Sequence, residues 1–127
     1  TAKETNDAIS IIDIKMAPGA EPPRHVHQWE DEIFMVQKGT ITFFVGEDII
    51  NAKEGTTVFM PRGVPHHFVI TSPTAHCTLI TTPGGMENYF EEISLPHEFT
   101  DDAPKTPDET SIQAMLACAA RYGISFV

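Results

Sequence analysis

The chain has 127 residues, 41% hydrophobic and 20% charged, which is one domain's worth of ordinary globular composition and enough to bury a core without disulfide staples. Eighteen acidic residues against 8 basic ones leave a formal net charge of −10, which argues against nucleic acid and anionic membrane as partners, since both demand clustered Lys and Arg. No apolar run approaches the ~18 residues of a membrane span, and the N-terminal TAKETNDA lacks the basic and apolar regions of a signal peptide, so a cytoplasmic protein with a small-molecule partner is expected.

In chain order, β-type runs fall at 9–16, 24–27, 32–38, 40–45, 49–51, 56–60, 66–71 and 75–82. Between them stand Pro18-Gly19, Pro22-Pro23, Gly39, Gly46-Glu47-Asp48, Gly55, Pro61-Arg62-Gly63, Ser72-Pro73 and Pro83-Gly84-Gly85. So many short strands at this spacing predict an all-β antiparallel sandwich or barrel over about residues 9–83. The runs Ile33-Phe34-Met35-Val36 and 41–45 are apolar on both faces, so something must cover the outside as well as the inside. A homodimer through sheet packing is the expected cover.

From residue 84 the period changes. Met86, Tyr89, Phe90 and Ile93 recur at three- and four-residue intervals and predict a helix over 86–95, stopped by Pro96. Residues 98–105 read as an acidic linker. Thr106-Pro107-Asp108-Glu109 then has the N-cap, first-turn proline and capping-box glutamate of a helix start. That helix, 107–122, carries Ile112, Met115, Leu116 and Ala119 on one face and ends at Gly123. The whole chain, 1–127, is read as one domain with a helical segment over about 84–127. Cys77 and Cys118, each in an apolar setting, are expected as buried thiols rather than as a disulfide.

Three histidines and a glutamate have informative spacings. His25 and His27 are two apart in an extended run, so their side chains share a strand face with Cα atoms ~6.6 Å apart, close enough for two imidazoles to meet one cation. Glu32 opens the next run after the loop 28–31, and His66 follows the turn 61–65. A lone strand histidine is more often surface or hydrogen-bonded than a ligand, so the surrounding frame decides.

That frame resembles the cupin superfamily. Gly19, five residues, His25-Val26-His27, four residues, Glu32, six residues and Gly39 reproduce its first motif; Gly55, five residues, Pro61-Arg62-Gly63, two residues and His66 reproduce its second. The one departure is Ile70, where the family usually has Asn, and it touches pocket polarity rather than the metal. The resemblance implies a double-stranded β-helix, the jelly-roll barrel, here with two short C-terminal helices. It implies that His25, His27, Glu32 and His66 hold one divalent transition metal. Imidazoles with a carboxylate suit Mn, Fe, Ni, Cu or Zn without choosing among them.

Around these residues, Phe34, Val36, Phe68 and Ile70 share faces with Glu32 or His66 and are candidates to line the interior or a substrate pocket. Trp29, in the loop between ligands, is a candidate lid. His67 should face away from His66's side, His76 and His97 are read as surface residues, and Arg24, Arg62 and Gln37 are the remaining polar candidates near the site. The resemblance spans enzymes and non-enzymes. The expected activity is a metal-dependent dioxygenase with Glu32 as both ligand and proton acceptor. The turn Thr82-Pro83-Gly84-Gly85-Met86 and the helix after it resemble a feature of small bacterial cupins near the quercetinase-like group. The alternatives are a non-catalytic metal-dependent sugar or small-molecule binder, or an isomerase or decarboxylase.

Overall fold

Alternation of buried and exposed side chains sorts the chain into two antiparallel sheets. The computed structural model describes residues 1–94 and 109–127. Its strands are β1 (Ser10–Met16), β2 (His25–His27), β3 (Asp31–Lys38), β4 (Ile41–Val45), β5 (Asp48–Ala52), β6 (Thr57–Met60), β7 (His66–Ile70), β8 (Ala75–Thr82) and β9 (Ile124–Phe126). One sheet runs β1-β8-β3-β6 and the other β5-β4-β7-β2-β9. The helices are α1 (Met86–Ser94) and α2 (Glu109–Arg121). This is the jelly-roll with two short helices that the resemblance implies, and one form of the antiparallel sandwich that the turn pattern predicts.

The core lies between the sheets. Phe34 of β3, Phe43 of β4 and Phe68 of β7 meet with ring centroids 5.5 to 5.7 Å apart. Ile41, Met60, Leu79 and Val58 fill the space around them and are almost wholly buried. The aromatic layer sits one strand step from the candidate ligands, because Phe34 follows Glu32 by two residues and Phe68 follows His66 by two on the same inward faces. Phe34, Val36, Phe68 and Ile70 are all buried members of this core. Gly39 makes the β3–β4 turn possible: it holds a positive φ of 90°, and a Cβ there would come within 2.6 Å of Ser72 Oγ.

The helical C-terminal segment expected over about 84–127 also holds a strand: α2 ends before Gly123, as expected, and Gly123, at φ 71°, reverses the chain into β9. β9 pairs with β2 and extends the second sheet. Leu116 is also not on the buried face of α2. It is 45% exposed, and Cys118 and Ala119 pack instead against Met86, Tyr89 and Ile124. Arg121 of the same helix reaches α1 as well, donating to Glu92 at 2.7 Å. The linker 98–105, the helix start at Thr106, Pro96 and His97 lie outside the described residues, as do the side chains of Ile93, Ile112 and Met115. Cys77 and Cys118 are free and buried, one in each apolar cluster. Burial pushes the Cys77 thiol up to about 11.

Candidate metal centre

His25 and His27 are the inward residues of the three-residue strand β2, separated by the half-buried Val26. His25 stands directly opposite His66 in the pairing of β2 with β7. Glu32 comes from β3 in the facing sheet, so the four side chains meet across the gap between the two sheets. Each offers one ligand atom, and these atoms lie within 4.8 Å of one another. All four residues are at most 7% exposed.

The proton positions follow from the partners. A carbonyl oxygen only accepts, so His25 donates Nδ1–H to the Pro23 carbonyl at 2.8 Å and His66 donates Nδ1–H to the Val64 carbonyl at 3.2 Å. Both rings are thereby turned with Nε2 toward the centre. His66 Nε2 lies 2.8 Å from one oxygen of Glu32, and His27 Nε2 lies 3.3 Å from the other. With Nδ1 already protonated, the short His66–Glu32 contact requires either a further proton or a cation between the two groups. The donor set, two imposed tautomers and a carboxylate shared by two imidazoles fit a divalent metal ion.

The titration behaviour agrees. Burial, reinforced by the neighbouring His66 and His27, pulls His25 down to about 4, so its Nε2 lone pair is free at neutral pH. Burial opposes charge on Glu32, but the hydrogen bond from His66 and the charges of His27, His66 and His25 outweigh it, and the carboxyl sits below its usual range. A pH dependence follows for the metal-stripped protein. Unfolded His25 takes a proton near 6.5 and native His25 near 4, so between those values the unfolded chain holds more protons and stability falls as pH is lowered. The expected loss, at ~1.4 kcal/mol per pKa unit, is on the order of 3 kcal/mol by pH 4. Glu32, with its lowered pKa, adds loss of the same sign at lower pH. Urea midpoints measured from pH 7 to 4 check this; a flat profile would contradict the buried neutral imidazole.

The other candidates take different places. Trp29 is 50% exposed and lies over Gly123, where an added Cβ would fall 2.6 Å from its ring, so it covers the α2–β9 turn. His67 stacks on Phe44 at 4.5 Å and contacts Arg24, whose guanidinium also donates to the Gly46 carbonyl. Arg62 is paired with Asp31 at 3.2 Å, and His76 with Asp13 at 2.5 Å. Gln37 donates to the Thr78 hydroxyl. None of these contacts reaches the ligand cluster. Two polar residues not singled out by spacing are buried beside it: Glu30, 7% exposed, next to His27, and Thr81, fully buried and opposite Glu32 in the β3–β8 register. No motif position marks either one, and only the tertiary structure brings them in.

The sequence profile of the family described as Cupin domain matches residues 13–83. No curated protein matches the sequence significantly. Among solved structures, KdgF from Halomonas sp. superposes with a TM-score of 0.60 at 18% identity, covering 65% of this chain and 74% of that one. The TT1209 protein of Thermus thermophilus does so with a TM-score of 0.57 at 25% identity, covering 62% and 76%. Streptomyces Pac13 in complex with uridine gives 0.56 at 15% identity, covering 65% and 64%; Pac13 is described as a nucleoside dehydratase. At such identities the likeness is one of fold.

Proposed function

The chain belongs to the cupin domain family, and from that premise we propose that it is a metal-dependent dioxygenase acting on a small organic substrate at the His25, His27, Glu32 and His66 centre. The observation that carries the metal is the convergence of four buried donor atoms within 4.8 Å. Mn, Fe, Ni, Cu and Zn all suit this set. A divalent ion bound there supplies Lewis-acid or redox chemistry at whatever positions the protein leaves open.

What the chain itself contributes can be derived. The Pro23 and Val64 carbonyls orient two imidazoles. Phe34 and Phe68, two residues along from Glu32 and His66 on the same inward faces, pack in the core behind the ligands and keep water from that side. Glu32 has one oxygen against His66 and the other against His27, and it would hold a substrate proton only if it bound the ion through a single oxygen and freed the second. An oxygenase needs little further acid–base machinery, which suits this largely apolar interior. Kinship with the quercetinase-like cupins belongs to the same proposal and draws its support from the turn Thr82-Pro83-Gly84-Gly85-Met86 into α1. Metal analysis followed by oxygen uptake on a panel of flavonols and enediols tests the activity. Metal-loaded protein that consumes no oxygen across the panel would replace the dioxygenase with a non-catalytic metal-dependent binder, or with an isomerase or decarboxylase.

We further propose one domain over 1–127, a cytoplasmic location and a small-molecule rather than nucleic-acid or membrane partner. No described helix is long and apolar enough to cross a membrane. A homodimer is supported by the outer face of the first sheet, where Ile11, Ile80, Ile33 and Phe59 stand in one cross-strand row. Ile11 and Phe59 are each 55% exposed and Met35, on the same face, 42%. An apolar row spanning every strand of a sheet is costly to leave in water. Sedimentation at micromolar concentration should show a dimer that Phe59→Glu converts to monomer; a monomeric wild type would refute it.

A further inference from the structure

We propose that Glu30 is a positioning residue of the metal centre, whose carboxylate accepts the Nδ1 proton of His27 and so aims that ring's Nε2 at the ion. The inference rests on reading the four-residue cluster as a metal centre.

Of the three histidines, two have their Nδ1 tied to a backbone carbonyl, and His27 does not. Its Nδ1 is buried without a hydrogen-bond partner, and so is Glu30 Oε2. The two atoms face each other 3.6 Å apart, on side chains only 4% and 8% exposed. Two orphaned polar atoms in one buried place are costly singly and complementary together. A hydrogen bond needs about 2.7–3.2 Å, so roughly half an ångström of approach completes it.

Glu30 is held in position by a loop pinned on both sides. The Gln28 N–H donates to the Gly123 carbonyl at 2.9 Å, and the Gly63 N–H to the His27 carbonyl at 2.8 Å. The Arg62 N–H donates to Asp31 at 2.8 Å, and the Trp29 ring lies against Gly123. The backbone that carries Glu30 is thus fixed on both sides of it. What the site asks of Glu30 is a hydrogen-bond acceptor beside His27 Nδ1, which fixes the tautomer and the orientation of that ring.

The test uses the full chain with zinc(II) alone, titrated against a competing chelator, and with cobalt(II) for NMR. Glu30→Ala is expected to weaken zinc binding about 10- to 100-fold. Glu30→Gln, whose amide oxygen accepts the same bond without the charge, should recover most of that loss. In cobalt-loaded wild type, three slowly exchanging, paramagnetically shifted Nδ1–H signals are expected; Glu30→Ala should lose that of His27 to solvent exchange and Glu30→Gln should restore it. Wild type that binds no zinc overturns the metal centre itself. Wild type that binds zinc, with Glu30→Ala binding as tightly and keeping all three signals, overturns only the role of Glu30. Should Glu30→Ala fail to fold, the wild-type spectrum decides: a His27 signal exchanging far faster than those of His25 and His66 overturns the proposal.

Discussion

His66→Ala is expected to lower the metal content of the purified protein from stoichiometric to trace. His66 supplies one of three imidazole donors and makes the shortest contact in the cluster, 2.8 Å to Glu32. Loss of an outer partner to a ligand typically costs 10- to 100-fold in metal affinity, so loss of the ligand itself should cost more than about 100-fold. The variant also leaves Glu32, which is 4% exposed, facing a cavity, and an unpaired buried carboxylate is destabilising in its own right. His66→Gln, which keeps volume and polarity, therefore accompanies it. Elemental analysis after dialysis gives the stoichiometry. A melting curve with added metal gives an independent reading: a ligand at a thousandfold excess over its Kd stabilises the wild type by about 4 kcal/mol, and the variants should show no such shift. Unchanged stoichiometry in both variants would remove His66 from the centre.

Phe43→Ala should destabilise the protein by about 3–5 kcal/mol, a large part of the whole stability of a domain this size. Phe43 is fully buried and touches both other phenyl rings of the central layer, with centroids at 5.5 and 5.7 Å. Its neighbours are strand residues fixed by ladders on both sides, Ile50 in β5 and Phe68 in β7, so the walls are poorly able to collapse into the space. The expected drop in melting temperature is roughly 10 °C or more. Metal affinity of the folded fraction should change only a few-fold, because Phe43 lies in the layer next to the ligands and touches none of the described donor pairs. A loss under about 1 kcal/mol would mean that the phenyl layer is not packed as described.

Much of this is legible in the sequence because it is written in local chemistry. Proline and glycine fall between nearly every pair of strands, so eight strands are bounded to within about a residue or two of the observed ones. The period of a strand puts His25 and His27 on one face, while Glu32 and His66 join them as candidate ligands only through the resemblance to the cupin motifs. What the sequence hides depends on packing between distant segments. β9 is three residues long, too short to carry an alternation signal, and exists because Gly123 turns it onto β2. Periodicity puts Leu116 and Ala119 on one face; Ala119 is buried as expected, while Leu116 is exposed and Cys118 packs in the cluster with Tyr89 and Ile124. Glu30 reads as an ordinary loop acid until the pinned loop is seen to bury it beside His27.

The three imidazoles belong to one sheet and the carboxylate to the other. An ion gripped by all four is therefore a rivet through both walls of the sandwich, placed at one end while the phenyl layer cements the middle. Stripping it with a chelator would unfasten that end first, and amides of β2 and the start of β3 would trade hydrogen for deuterium sooner than those of β4 and β8. Loading state and the local breathing of the barrel mouth would then be a single property, and the protein would be most open to a newcomer when it is empty.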